Sequence, residues 1–136
     1  MKVAFYKAKY GTWKGRLISW LTFGPYSHCE LVLEDGLCIS STPEEGVRCK
    51  KIEFDEKKWD FISWEESSFK DDLVFESAYE LVGEPYDWRG VYFPYGLFQD
   101  SKKWYCSELI AYLLLTNNVW DLDVRCSPNY LFRMLS

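Results

Sequence analysis

Hydrophobic and polar positions alternate along this chain with two different periods. The opening run KVAFYK, over 2–7, is short and apolar and predicts a strand. The period then lengthens. Trp13, Leu17, Trp20 and Leu21 fall at i, i+4, i+7 and i+8, which predicts a helix over 12–22 with that face buried. Thr12 is placed to cap it and Gly24-Pro25 to end it. Strand-like runs follow over 27–33, 37–41, 47–54 and 59–64, with Asp35-Gly36 as a hairpin turn. They read as an antiparallel meander.

The helical period returns over 69–82, where Phe75, Ala78, Tyr79 and Val82 form a stripe. Ser68 with Asp71 resembles a capping box, and Gly83 and Pro85 stop the helix. The aromatic, Gly/Pro-punctuated stretch 86–99 predicts a short helical turn plus a packed loop. The strongest helix spans 104–115, with Leu109, Ile110, Leu113 and Leu114 on a broad buried face. Ser127-Pro128 starts a last short helix carrying Leu131, Met134 and Leu135. Helix, strands, then helices predict an α+β domain over 1–136, a small antiparallel sheet or barrel packed against helices.

Composition narrows the functional classes. The net charge of −5, from 16 basic and 21 acidic side chains, excludes a general nucleic-acid binder, which needs clustered cations. The charge is uneven, however. Lys2, Lys7, Lys9, Lys14 and Arg16 all precede the first acidic residue, so contact between this basic segment and an anionic substrate or membrane surface stays open. No apolar run approaches the roughly 18 residues of a membrane helix, and MKVAFYKAKYGTW lacks the apolar stretch of a secretion signal. The expectation is a mature cytoplasmic chain. Five irregularly spaced cysteines argue against a disulfide framework, and one histidine without a CxxC pair argues against structural zinc.

Two residues carry candidate chemistry. Cys106 falls in the first turn of the strongest helix, where unpaired N–H groups and the helix dipole stabilise an anion and lower a thiol pKa. The same N–H groups can hold an oxyanion. A thiolate nucleophile needs a base or ion-pair partner, and His28, in SHCELVL, is the only imidazole in the chain. A cysteine at a helix N-terminus packed on a strand histidine is the papain-like geometry.

GPYSHCELVL followed by WYCSELIAYLL, with GEPYDWRG between, resembles the circularly permuted papain-like amidases, the YiiX-like branch of the NlpC-type superfamily. Lecithin:retinol acyltransferase-like proteins share the permuted order of His before Cys. The resemblance runs over roughly 12–131. It implies a helix-on-sheet fold, Cys106 as nucleophile, His28 as base, and no metal or organic cofactor. For the third, ring-orienting residue, Glu30 shares a strand face with His28. An i, i+2 neighbour is awkwardly placed to bond the far ring nitrogen, and the next strand offers Ser40 or Ser41; Glu30 is the choice, with Ser40 as the reserve. A Cys–His dyad with an accessory carboxylate is the remaining form.

Around this pair, Tyr26 shares the His28 face by simple alternation and would line the mouth or donate to an oxyanion. Trp88 and Trp104 are candidate substrate walls, and Ser40 a further contact. Asp87 and Arg89 read as structural. Glu108 favours the helix start, but its charge would oppose a nearby thiolate, so it is not assigned a catalytic part. Cys29 points away from His28, and Cys38, Cys49 and Cys126 read as inert. The sequence therefore predicts a cysteine-dependent amidase or peptidase acting on a small peptide or cell-wall-type amide. The alternatives are a lipid-directed thioesterase or acyltransferase, and a silent binding module.

Overall fold

The structure is a computed structural model that describes residues 1–88 and 102–136. Arg89 and most of the 86–99 stretch lie outside the described residues. The elements are β1 (Lys2–Lys7), a 3₁₀ turn (Ala8–Tyr10), α1 (Trp13–Leu21), β2 (Tyr26–Val32), β3 (Cys38–Thr42), β4 (Gly46–Lys50), β5 (Trp59–Ser63), α2 (Ser68–Leu81), α3 (Cys106–Thr116) and α4 (Pro128–Leu135). The fold is α+β, as the change of period predicts. It is built on one five-stranded antiparallel sheet of order β4-β3-β2-β1-β5.

That order departs from a simple meander. β2, β3 and β4 follow one another, but β5 returns to the far edge and pairs with β1. Alternation gives β5 a face and not a neighbour, so local pattern is silent on this crossing. β4 also stops at Lys50, and 51–54 leaves the ladder.

The two faces of the sheet differ. One carries Val3, Phe5, Cys29, Leu31, Ile39 and Val47 and packs on the apolar side of α3 and on α4. The other carries Ala4, Val32 and Cys38 under Ile52, Phe54, Trp59 and Phe61. Burying the α3 leucines contributes about 2 kcal/mol each.

Three local expectations change. Trp13 and Trp20 of α1 are exposed, and Ile18 is the helix's one buried residue. On α2 the buried line is Asp71, Val74 and Ala78, with Tyr79 outside. Its cap is Ser67, whose hydroxyl accepts from the Lys70 N–H. Asp71, instead of closing a box, accepts the Glu34 N–H at 2.8 Å and so turns the helix toward the β2–β3 hairpin. At α4, Ser127 caps Tyr130 N–H and Pro128 opens the helix as expected, but Met134 faces outward.

Candidate active site

His28 is placed by a bulge and a clamp. Tyr6 pairs with His28 but Lys7 pairs with Tyr26, so Ser27 is an extra residue in β2. The Asn129 side chain, in the first turn of α4, accepts the Tyr26 N–H and donates to the Tyr26 carbonyl, both at 2.9 Å. It also donates to Thr22 at 2.6 Å. Gly24 permits this approach, because a Cβ there would meet Asn129 at 2.3 Å.

The bulge corrects the expectation for Tyr26. The extra residue breaks alternation and sends Tyr26 to the opposite face from His28. It is buried there against Phe5 and Phe132, and its hydroxyl donates to Asp60 at 2.7 Å. Burial, then the Asp60 carboxylate, push its phenol pKa well up.

Cys106 is the first residue of α3, after the N-cap Tyr105. The start of the helix is fixed from both sides. Ser41 Oγ donates to the Trp104 carbonyl at 2.7 Å, and Ser107 Oγ to the Cys126 carbonyl at 2.6 Å. β2 and β3 are paired only at Leu31–Ile39 and Val32–Cys38, so the seam between them is open toward Tyr26. In that seam the Cys29 carbonyl accepts from Ser40 Oγ at 2.7 Å. At this seam Cys106, Cys29 and His28 influence one another's titration.

The electrostatics favour a charged pair. The Cys106 pKa is drawn well below that of an ordinary thiol by the Cys29 hydrogen bond and, against burial, by the His28 charge. Burial disfavours a charged His28 ring, but Cys106 and Glu30 outweigh it and raise its pKa to about 10. Cys29 moves the other way, through burial and the neighbouring thiolate.

Behind the ring, Glu30 Oε1 lies 2.7 Å from His28 Nε2. The i, i+2 carboxylate does reach a ring nitrogen, Nε2. Glu30 is 1% exposed, and Arg48 on β4 grips both its oxygens, at 2.8 and 2.5 Å. Burial alone would raise the Glu30 pKa, but His28 and Arg48 lower it. Arg48 is a residue the sequence reading missed. Its signal was weak, one cation inside GVRCK, and its register opposite Ser40 depends on strand order.

Ser40 and Trp104 are not placed to touch substrate. Ser40 is fully buried on the Cys29 carbonyl. Trp104 is buried, donates through Nε1 to Glu84 and stacks on Tyr112. Its neighbour-by-sequence relation to Cys106 does not carry over, because the chain turns inward before the helix. Trp88 does line a cleft of about 710 Å³ beside His28, together with Tyr6, Trp13, Lys14, Trp59 and Tyr86. The Lys14 ammonium lies 5.5 Å from the Trp88 ring. Trp59, missed as one tryptophan among seven, stands edge-on to the imidazole with centroids 6.2 Å apart. Burial, then Asp87, raise the Glu108 pKa to about 8, which weakens its opposition to the thiolate.

No protein-family model and no curated protein matches the chain. Among solved structures it is similar to the crystal structure of metalloprotein yiiX from Escherichia coli O157:H7, with a TM-score of 0.62 and 17% identity over 85% of this chain. The chain spans 64% of that protein's length. At this identity the likeness shows a YiiX-like fold. Among the described residues of this chain, no group of three or more His, Cys, Asp or Glu side chains is arranged to hold a metal ion. Among them also, no helix is long and apolar enough to cross a membrane.

Proposed function

We propose that this chain is a cysteine hydrolase of the permuted papain-like type, cleaving an amide bond of a peptide or cell-wall-type substrate. One observation carries the reading: His28 Nε2 lies 2.7 Å from a buried Glu30 whose two oxygens Arg48 holds, and the titrations of His28 and Cys106 are shifted toward an ion pair. Cys106 Sγ attacks the carbonyl carbon, and the oxyanion is held by first-turn N–H groups of α3. His28 gives its proton to the leaving nitrogen as the C–N bond breaks. Water, deprotonated by His28, then releases the acid and the thiol. Glu30 holds the imidazolium and its tautomer, and Arg48 holds Glu30.

The lining of the cleft supports a second reading. Its aromatic walls suit an acyl chain as well as a peptide side chain, which is what a lipid-directed thioesterase or acyltransferase requires. Cys106 itself is 2% exposed, and the cleft reaches the imidazole, so a carbonyl enters past the His28 ring.

The test is iodoacetamide labelling read at each cysteine by mass spectrometry across pH, in the native chain and His28→Ala. It is followed by intact-mass detection of an acyl adduct from activated amides and from acyl thioesters, with Cys106→Ala as control. The reading expects Cys106 to label first, at a pH well below about 8.5, and to carry an adduct from the amide. An adduct only from long-chain thioesters selects the lipid reading. A Cys106 that resists alkylation and forms no adduct overturns both in favour of a binding module.

A further inference from the structure

We propose that the outer face of α1 and the turn after it dock on an anionic lipid bilayer, so that the cleft beside His28 opens at the membrane surface. Trp13, Trp20 and Phe23 are 70%, 74% and 82% exposed. Trp13 and Trp20 are seven residues apart, two turns of helix, and so project from the same side. Tyr130 and Met134 are exposed on α4, which adjoins this turn through the Arg133 hydrogen bond to the Phe23 carbonyl at 3.3 Å.

Phe23 adds an independent observation. Its φ is +56°, a left-handed conformation that is costly for a bulky L-residue. The turn is pinned there by Gly24 N–H to the Ser19 carbonyl and by Ser19 Oγ to the Gly24 carbonyl. A turn built only for packing would place glycine or asparagine at such a position. Here the backbone is held so that a phenyl ring projects outward.

Charge selects the partner. The chain carries a net −5, yet no Asp or Glu occurs in its first 29 residues, where Lys9, Lys14 and Arg16 lie in the 3₁₀ turn and α1; the other two cations there are engaged elsewhere, Lys7 with Asp60 and Lys2 over Phe61. Lys14 lies over Trp13 and Trp88, and Lys9 over Tyr10. Cations interleaved with tryptophan and phenylalanine match the headgroup boundary of an anionic membrane, where aromatic rings partition and basic side chains meet lipid phosphates. The acidic remainder of the chain orients this side toward such a surface. Trp13 and Lys14 also line the cleft, so the docking face and the cleft mouth are continuous, although Glu44 stands on that mouth as well.

This proposal stands apart from the thiol chemistry: vesicle binding does not report on Cys106, and Cys106 labelling does not report on a bilayer. The experiment is co-sedimentation and tryptophan emission with extruded phosphatidylcholine vesicles, with and without about 30 mol% phosphatidylserine. Three chains are compared: native, Trp20→Ser/Phe23→Gly, and Lys9→Glu/Arg16→Glu. None of these four residues lines the cleft, and an unchanged circular dichroism spectrum and urea midpoint certify the fold of each variant. The expected result is at least about tenfold stronger partitioning onto the anionic vesicles, lost in high salt. It should fall about tenfold or more in each variant. The proposal is overturned by no binding, by binding indifferent to headgroup charge, or by binding that both variants retain. It is also overturned if the native chain is a dimer that Trp20→Ser/Phe23→Gly dissociates, which would make this face a contact between two copies.

Discussion

Two regions of this molecule invert the usual distribution of polarity, in opposite senses. Behind His28, Glu30 and Arg48 bury opposite charges inside the sheet. On α1 and the turn after it, a few residues away in sequence, tryptophans and a phenylalanine stand in solvent. Both departures oppose stability when taken alone, and both are informative for that reason. The difference lies in what completes each one. The charges are closed on one another within the chain, with both Glu30 oxygens taken by Arg48 and one also by His28. Among the described residues, the aromatics have no such closure. The first region is therefore closed within the chain, and the second is left facing solvent.

The largest test of this contrast is Arg48→Met. It leaves a buried carboxylate with the imidazole alone and should cost about 3–5 kcal/mol of unfolding free energy, read by urea titration. Glu30→Gln added to it should recover part of that. Glu30 has a lowered pKa, so its contribution is complete above the ordinary carboxylate value and is lost as pH falls through the folded one. The Arg48→Met deficit should accordingly shrink in acid, and a deficit that does not change with pH would detach Arg48 from Glu30.

Next is His28→Ala. Without the imidazolium, Cys106 loses thiolate, and its alkylation at pH 6 should slow by about tenfold or more. The stability contributed by the His28 proton is complete below about 6.5 and is lost as pH rises through about 10. Unfolding midpoints of the native chain and the variant should converge on the alkaline side. Convergence in acid instead would reverse the assignment.

Tyr26→Phe probes the other face of the same strand. Losing the hydroxyl to Asp60 should cost about 1–2 kcal/mol, while Cys106 labelling keeps its rate and pH profile. A slowed Cys106 would return Tyr26 to the site. The smallest effect is expected for Trp20→Ser, within about 0.5 kcal/mol in unfolding, because its ring is already in water. A larger loss would show that the α1 aromatics pack on the fold after all.

Much of this was legible in the chain itself. Periods of two and 3.6 located the strands and helices, since each element must bury one face. The place of Cys106 at a helix start and of the single histidine on a strand was legible, and so was Glu30 on the His28 face, from strand alternation. The rest depended on relations between distant segments. The β5 crossing, the register that brings Arg48 to Glu30, and the α4 asparagine that clamps β2 are matters of strand order and docking. The Ser27 bulge moved Tyr26 to the other face, because one inserted residue reverses alternation for everything before it. The helical stripe of α1 was also read correctly as a stripe, but periodicity gives a face without saying toward what it turns. Sequence by itself determined which residues share a side. Only tertiary structure decided whether that side met the core, a partner charge or the solvent, because that depends on which other surfaces the folded chain has left to cover it.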